Sequence, residues 1–190
     1  SLGTVFKLSK NADPTKDPEG VLALKRMHRR IGRQQSQATP LTRDVLEKLL
    51  LQCGDDTRGL RNKVLLLLGY ETMRRRSELC QFRFEDLIES PKRGPSIRLV
   101  RSKTDQEGAS RLIPISKESF SVIQSWQNIA DISGAILRSV DRHGKIGNHL
   151  NPGSIGLIIN SLYSSCDCHD SAQLFSGHSF RVGAALDLLE

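Results

Sequence analysis

Aromatic residues are scarce: six Phe, two Tyr and one Trp make up 5% of the 190 residues. No clustered stacking platform is visible, which disfavours a basic RNA-binding domain that reads unstacked bases. Long apolar runs are missing too. The run at 64–68 reads as core and is far short of the ~20 residues needed to span a bilayer, so no membrane partner is expected. Cysteine is limited to Cys53, Cys80, Cys166 and Cys168. Cys53 and Cys80 sit among apolar residues, where cysteine behaves as a small hydrophobe. The C-x-C spacing of Cys166 and Cys168, beside His169, lacks the C-x₂₋₄-C geometry and the partner pair of a zinc site, so no metal is expected and reduced thiols are. There is no G-x-x-x-x-G-K-[ST] loop and no convincing carboxylate cluster, so neither nucleotide nor metal-assisted chemistry is expected, and no cofactor. Acidic residues are also outnumbered, 21 against 28 Lys and Arg, leaving +7. That balance favours a polyanionic partner without identifying one.

What is present has an uneven distribution. From residue 25 to residue 43 there are six basic side chains, Lys25, Arg26, Arg29, Arg30, Arg33 and Arg43, and no acid. Leu24, Met27 and Ile31 recur at helical spacing among them, and the stretch GRQQSQATP at 32–40 reads as a linker. Residues 1–40 are therefore expected to be a tail, a basic helix and a linker, and residues 41–190 one domain. Thr42 is the expected cap of the first domain helix, with Asp44 on its positive end and Leu41 and Leu46 forming a hydrophobic staple. Thr57 is the expected cap of a second helix, buried along Leu60, Val64 and Leu67 or Leu68. A third helical segment is expected over 74–82. Residues 97–100 and 111–115 read as two strands joined by a charged, Gly-containing loop. Ser116 should cap a helix to about Ile129, Asn151-Pro152 should open one through Leu162, and His178 should begin the last. The expected class is α+β, mainly α, with one small antiparallel sheet.

Three segments far apart in the chain carry candidate chemistry. They are Met73-Arg-Arg-Arg-Ser-Glu-Leu79, Arg101-Ser-Lys-Thr-Asp105 at the tip of the expected hairpin, and Ser176-Gly-His-Ser-Phe-Arg-Val-Gly-Ala-Ala185. Alone, each is bland: an arginine triplet on a wet helix turn, a lysine on a loop, and a His and Arg three apart on one helix face. Together, and in this order, they resemble the boxes of the tyrosine recombinase (phage integrase) family. Arg75-x-Ser77-Glu78-Leu79 is similar to the first arginine box. Lys103 resembles the hairpin lysine in kind and spacing. SGHSFRVGAA matches the H-x-x-R box and is close in wording to the Cre-type branch. The resemblance runs over roughly residues 20–190.

That resemblance implies the tyrosine recombinase catalytic fold and a site-specific recombinase that breaks and rejoins DNA through a 3′-phosphotyrosyl intermediate. It implies duplex DNA and further protomers of the same protein as partners, in a tetrameric synapse, and a cytoplasmic, nucleoid-associated location in a bacterium or phage. Arg75 and Arg181 would clamp the non-bridging oxygens of the transferring phosphate. His178 would donate to that phosphate or help move the tyrosine's proton, and Lys103 would be the general acid for the departing 5′ oxygen. Glu78, three residues after Arg75, would orient it. Lys25, Arg26, Arg29, Arg30, Arg33, Arg43, Arg74, Arg76 and Arg101 are the expected DNA contacts. In the family, the nucleophilic Tyr and a second His or Trp follow the H-x-x-R arginine by a few tens of residues. Both tyrosines here, Tyr70 and Tyr163, precede Arg181. The nucleophile is therefore expected outside this chain, which by itself would not cleave DNA. Two alternatives stay open: a catalytically inactive DNA-binding relative, and a DNA-relaxing enzyme like the type IB topoisomerases.

Overall fold

Residues 17–31, 38–99, 111–130, 133–166 and 174–189 are described by the computed structural model of the chain. Contacts divide the chain into two units, Ser1–Gln37 and Ala38–Glu190. In the first, helix α1 (Pro18–Ile31) carries Lys25, Arg26, Arg29 and Arg30, all exposed. Pro18 suits the first helical position, where its missing N–H costs nothing, and the Asp17 carboxylate accepts the Gly20 N–H at 2.9 Å.

The second unit is built around α3 (Thr57–Thr72). Every residue from Val64 to Gly69 on it is buried, which a single apolar stripe does not anticipate: a helix wrapped on all sides is apolar all round. It packs against α2 (Arg43–Leu51), α5 (Lys117–Ala130) and α7 (Ser179–Asp187). Its cap is Asp56, whose Oδ1 accepts the Gly59 N–H at 2.7 Å, and not Thr57. Asp and Thr are both good caps, and the residue that sits extended just before the first turn takes the role.

Three strands form an antiparallel sheet in the order β1 (Leu87–Ser90), β2 (Gly94–Leu99), β3 (Arg111–Pro114). The two expected strands are β2 and β3. The first strand was not anticipated, because four residues, three half-buried and one exposed, give no period-2 signal. A turn ending at Gly94, with φ +73°, joins it to β2. Leu99 at the end of β2 pairs with Arg111 at the start of β3. Arg101 and Lys103 in that connection, and Arg33, Cys168 and His169, lie outside the described residues.

Helix α5 begins as expected, with Ser116 Oγ accepting the Ser119 N–H at 3.0 Å. It buries Trp126, whose indole N–H donates to the Ile136 carbonyl at 2.8 Å. Helix α6 (Ser154–Ser164) follows Asn151-Pro152, with the Ser154 N–H on the Asn151 carbonyl. The fold is thus mainly helical with one small antiparallel sheet. Among the described residues, no helix is long and apolar enough to cross a membrane.

Candidate active site

The arginine triplet does not lie on a continuous helix. Helix α3 ends at Thr72, and Met73 takes the left-handed conformation (φ 49°), which few non-glycine residues adopt and which turns the chain sharply. Arg75 is extended and precedes a single turn, α4 (Arg76–Leu79). The expected helix over 74–82 is therefore corrected to four residues, and the three arginines part company at the bend. Arg74 folds back, its Nε donating to the Thr72 carbonyl at 2.8 Å. Arg75 is tied to Glu78 twice: its N–H reaches Oε2 at 3.3 Å and its Nη1 reaches Oε1 at 3.0 Å. The Glu78 side chain is 8% exposed and that of Arg75 44%, so the carboxylate braces the guanidinium from behind and leaves its outer edge in solvent. Charge-assisted pairing of this kind fixes orientation as well as adding energy.

The third box enters α7 from below. His178 is the residue before the first helical turn, and Arg181 lies one turn in. Ser176 and Ser179 staple the entry: the Ser176 N–H donates to Ser179 Oγ at 2.9 Å and the His178 N–H to Ser176 Oγ at 3.2 Å. Gly177 sits on Arg76, where an added Cβ would stand 2.9 Å from the Arg76 Cβ. Glycine here is what lets the two boxes touch.

Arg75, Arg76, Ser77, Ser176, Gly177, His178 and Arg181 consequently line one cleft of about 460 Å³. Two segments about a hundred residues apart thus put Arg75, Arg76, Arg181 and His178 around one space, with the Glu78 carboxylate buried and paired to Arg75. A concavity of that charge and donor pattern suits a tetrahedral oxyanion with several hydrogen-bond acceptors. Of the two flanking arginines, Arg76 lines the cleft and Arg74 does not. Ser77, Ser176 and Gly177 were not singled out from the sequence, although each lies inside a box that was.

The chain's tyrosines are elsewhere. Tyr163 is buried, its ring edge-on to Phe175 at 4.8 Å between centroids. The Tyr70 hydroxyl donates to Asp187 Oδ2 at 2.5 Å, and burial together with that carboxylate raises its pKa. It lines a second cavity with Arg43, Asp44, Glu71, Met73 and Asp187, where three carboxylates make a poor phosphate site. The other end of that Asp187 contact corrects the expected cap of α2. Thr42 makes no side-chain cap bond, and the Arg43 N–H donates instead to Asp187 Oδ2 at 2.9 Å.

Comparison with known proteins agrees with the family resemblance. The chain is 31% identical over 183 residues to the integrase/recombinase xerD homolog of Selenomonas ruminantium, covering 91% of this chain and 52% of that protein. It therefore spans about half the length of that curated relative. Its fold resembles the crystal structure of XerA recombinase (TM-score 0.59, 16% identity, 97% of this chain and 64% of that one). It also resembles a lambda integrase tetramer bound to a Holliday junction (TM-score 0.58, 14% identity, 81% of this chain and 43% of that one). The model of the phage integrase family matches residues 39–190, well over half of the chain, and the chain belongs to that family.

Proposed function

We propose that this chain is the phosphate-activating part of a site-specific DNA recombinase that works through a 3′-phosphotyrosyl intermediate. The observation that carries the reading is the cleft itself, where Arg75 and Arg181 arrive from separate segments beside His178. With a backbone phosphate in the cleft, the two guanidiniums hold its non-bridging oxygens, where charge grows as the fifth oxygen approaches. Arginine stays charged at every working pH, so the clamp needs no titration. His178 donates to the same phosphate or takes part in moving the tyrosine's proton. The tyrosine oxygen forms a bond to phosphorus, the bond to the 5′ oxygen breaks, and Lys103 delivers a proton to that oxygen. Rejoining reverses each transfer.

The nucleophile in this reading is neither Tyr70 nor Tyr163, since one is tied to Asp187 and lines the other cavity and one is packed on Phe175. It comes from a tyrosine outside these 190 residues, in the same protein or in a neighbouring protomer of a tetrameric synapse. Lys25, Arg26, Arg29, Arg30, Arg33 and Arg43 contact phosphates in support of the catalytic part at 41–190, as do Arg101 and the cleft-lining Arg76. Arg74, occupied at its Nε, contributes less. Full-length protein incubated with a nicked suicide substrate of its own site is expected to form a denaturant-resistant adduct, and the 190-residue chain alone none. Arg181→Lys in the full-length protein should lower the adduct yield severely, because an ammonium cannot reproduce the guanidinium fork. An adduct formed by the 190-residue chain would show that the nucleophile is misplaced. No adduct from the full-length protein would favour the inactive DNA-binding relative.

A further inference from the structure

The backbone that presents His178 is fixed link by link. Within the segment, Ser176 and Ser179 bond to one another and Ser176 Oγ accepts the His178 N–H, as described above. Among the described residues, three bonds reach it from other elements. At its downstream end the Leu41 N–H donates to the Ser179 carbonyl at 3.0 Å. At its upstream end the side chain of Asn160 holds Phe175 at both polar groups: Nδ2 donates to the Phe175 carbonyl at 2.9 Å and Oδ1 accepts the Phe175 N–H at 2.8 Å. A carboxamide bonded this way acts as one rung of a β ladder, supplied by a helix.

The rest of that α6 face is shaped to receive the same residue. Gly156, one turn earlier, leaves room for the Phe175 carbonyl, which an added Cβ would meet at 3.3 Å. Tyr163, nearly one turn later, packs edge-on against the Phe175 ring. Positions 156, 160 and 163 share one helix face. Phe175 is buried, so without the carboxamide its N–H and carbonyl lose their partners in a place where water replaces them poorly.

We infer that Asn160 is a positioning residue for the His178–Arg181 box: its two bonds to Phe175 set where His178 stands relative to Arg75 across the cleft. Its side chain is bonded to Phe175, which does not line the cleft, and it acts through the three peptide links from Phe175 to His178. The consequence for catalysis rests on the reading of the cleft as a phosphodiester site.

The test uses the 190-residue chain, with Asn160→Ala and Asn160→Asp compared with wild type by NMR well below their melting temperatures. One readout is amide hydrogen exchange at Ser176, His178 and Ser179. The other is the movement of the His178 ring signal as inorganic phosphate is added. Asn160→Ala is expected to speed exchange at those amides by roughly tenfold or more relative to amides of α5, as two buried bonds are lost. Phosphate binding should weaken several-fold in step. Asn160→Asp gives the sharper signature. A protonated acid reproduces the donor and the acceptor, whereas a carboxylate turns lone pairs on the Phe175 carbonyl. Measured against wild type at the same pH, protection of the box should approach normal near about pH 4 and be lost by about pH 7. A residue that served only global stability would lower the melting temperature but give no such pH crossover at 176–179. The Asp variant at low pH also keeps the test decisive if Asn160→Ala does not fold. Unchanged exchange at the box in either variant, with no crossover, overturns the proposal. If exchange responds as expected but wild type shows no phosphate response, the phosphate reading of the cleft falls and the positioning role stands.

Discussion

Gly183→Ala sets helix propensity against packing, and the two predict opposite signs. Gly183 lies inside α7, where replacing glycine by alanine ordinarily stabilises by about 1 kcal/mol. Here a Cβ would overlap the Leu41 carbonyl outright and stand 2.6 Å from the Thr42 nitrogen. Neither neighbour can give way cheaply. Leu41 is fully buried, its N–H is bonded to the Ser179 carbonyl, and the Arg43 N–H two residues on is bonded to Asp187. The segment before α2 is thus laced to both ends of α7, with Gly183 between the laces. Making room breaks one or both of those bonds at about 1 kcal/mol each and adds about 1–3 kcal/mol of overpacking. After the propensity gain, the net loss is about 1–4 kcal/mol. For a domain of this size that lowers Tm by about 2–16 °C. Thermal and urea unfolding measure it, and the urea midpoint should fall with the m-value unchanged. An unchanged or raised Tm would refute the reasoning and show that the contact with the Leu41 carbonyl yields freely.

Other consequences can be checked more briefly. Duplex affinity should fall steeply with salt, and Arg75→Ala should reduce the slope of log affinity against log salt by about one phosphate contact. Glutamate at both Arg29 and Arg30 should weaken binding alike for all duplex sequences, because phosphate contacts position a protein without reading bases. A loss confined to one sequence would contradict that. Burial pushes the Cys53 and Cys80 thiols up to about 11 from 9.0. The folded state therefore resists forming either thiolate, so their contribution is fully present below pH 9 and is lost as pH climbs to about 11. Urea unfolding from pH 8 to pH 11 should show that fall, and Cys53→Ala should lessen it.

Much of this molecule is written locally. The apolar run at 64–68, the Ser116 cap, Asn151-Pro152 and the paired apolar strands each name their element, because propensity, capping and period act over a few residues. The R-x-S-E-L and SGHSFRVGAA boxes named a family in the same way, since the chemistry asks for those residue types whatever surrounds them. The pairing of Arg75 with Glu78, three residues apart, was also within reach of local reasoning. What local reasoning could not supply is what distant segments do to one another. The left-handed turn at Met73 splits the arginine triplet and decides that Arg76 faces the cleft while Arg74 turns back. Asp187, 144 residues from the Arg43 N–H that it accepts, takes the capping duty that Thr42 was expected to perform. Gly177 and Gly183 are ordinary glycines in the sequence and become contact points only once Arg76 and Leu41 lie against them. Asn160 reads as a polar residue on an amphipathic helix until Phe175 is laid along it. Each of these depends on a contact between residues remote in sequence. Such contacts are set by the joint packing of several elements, which no window of ten residues contains.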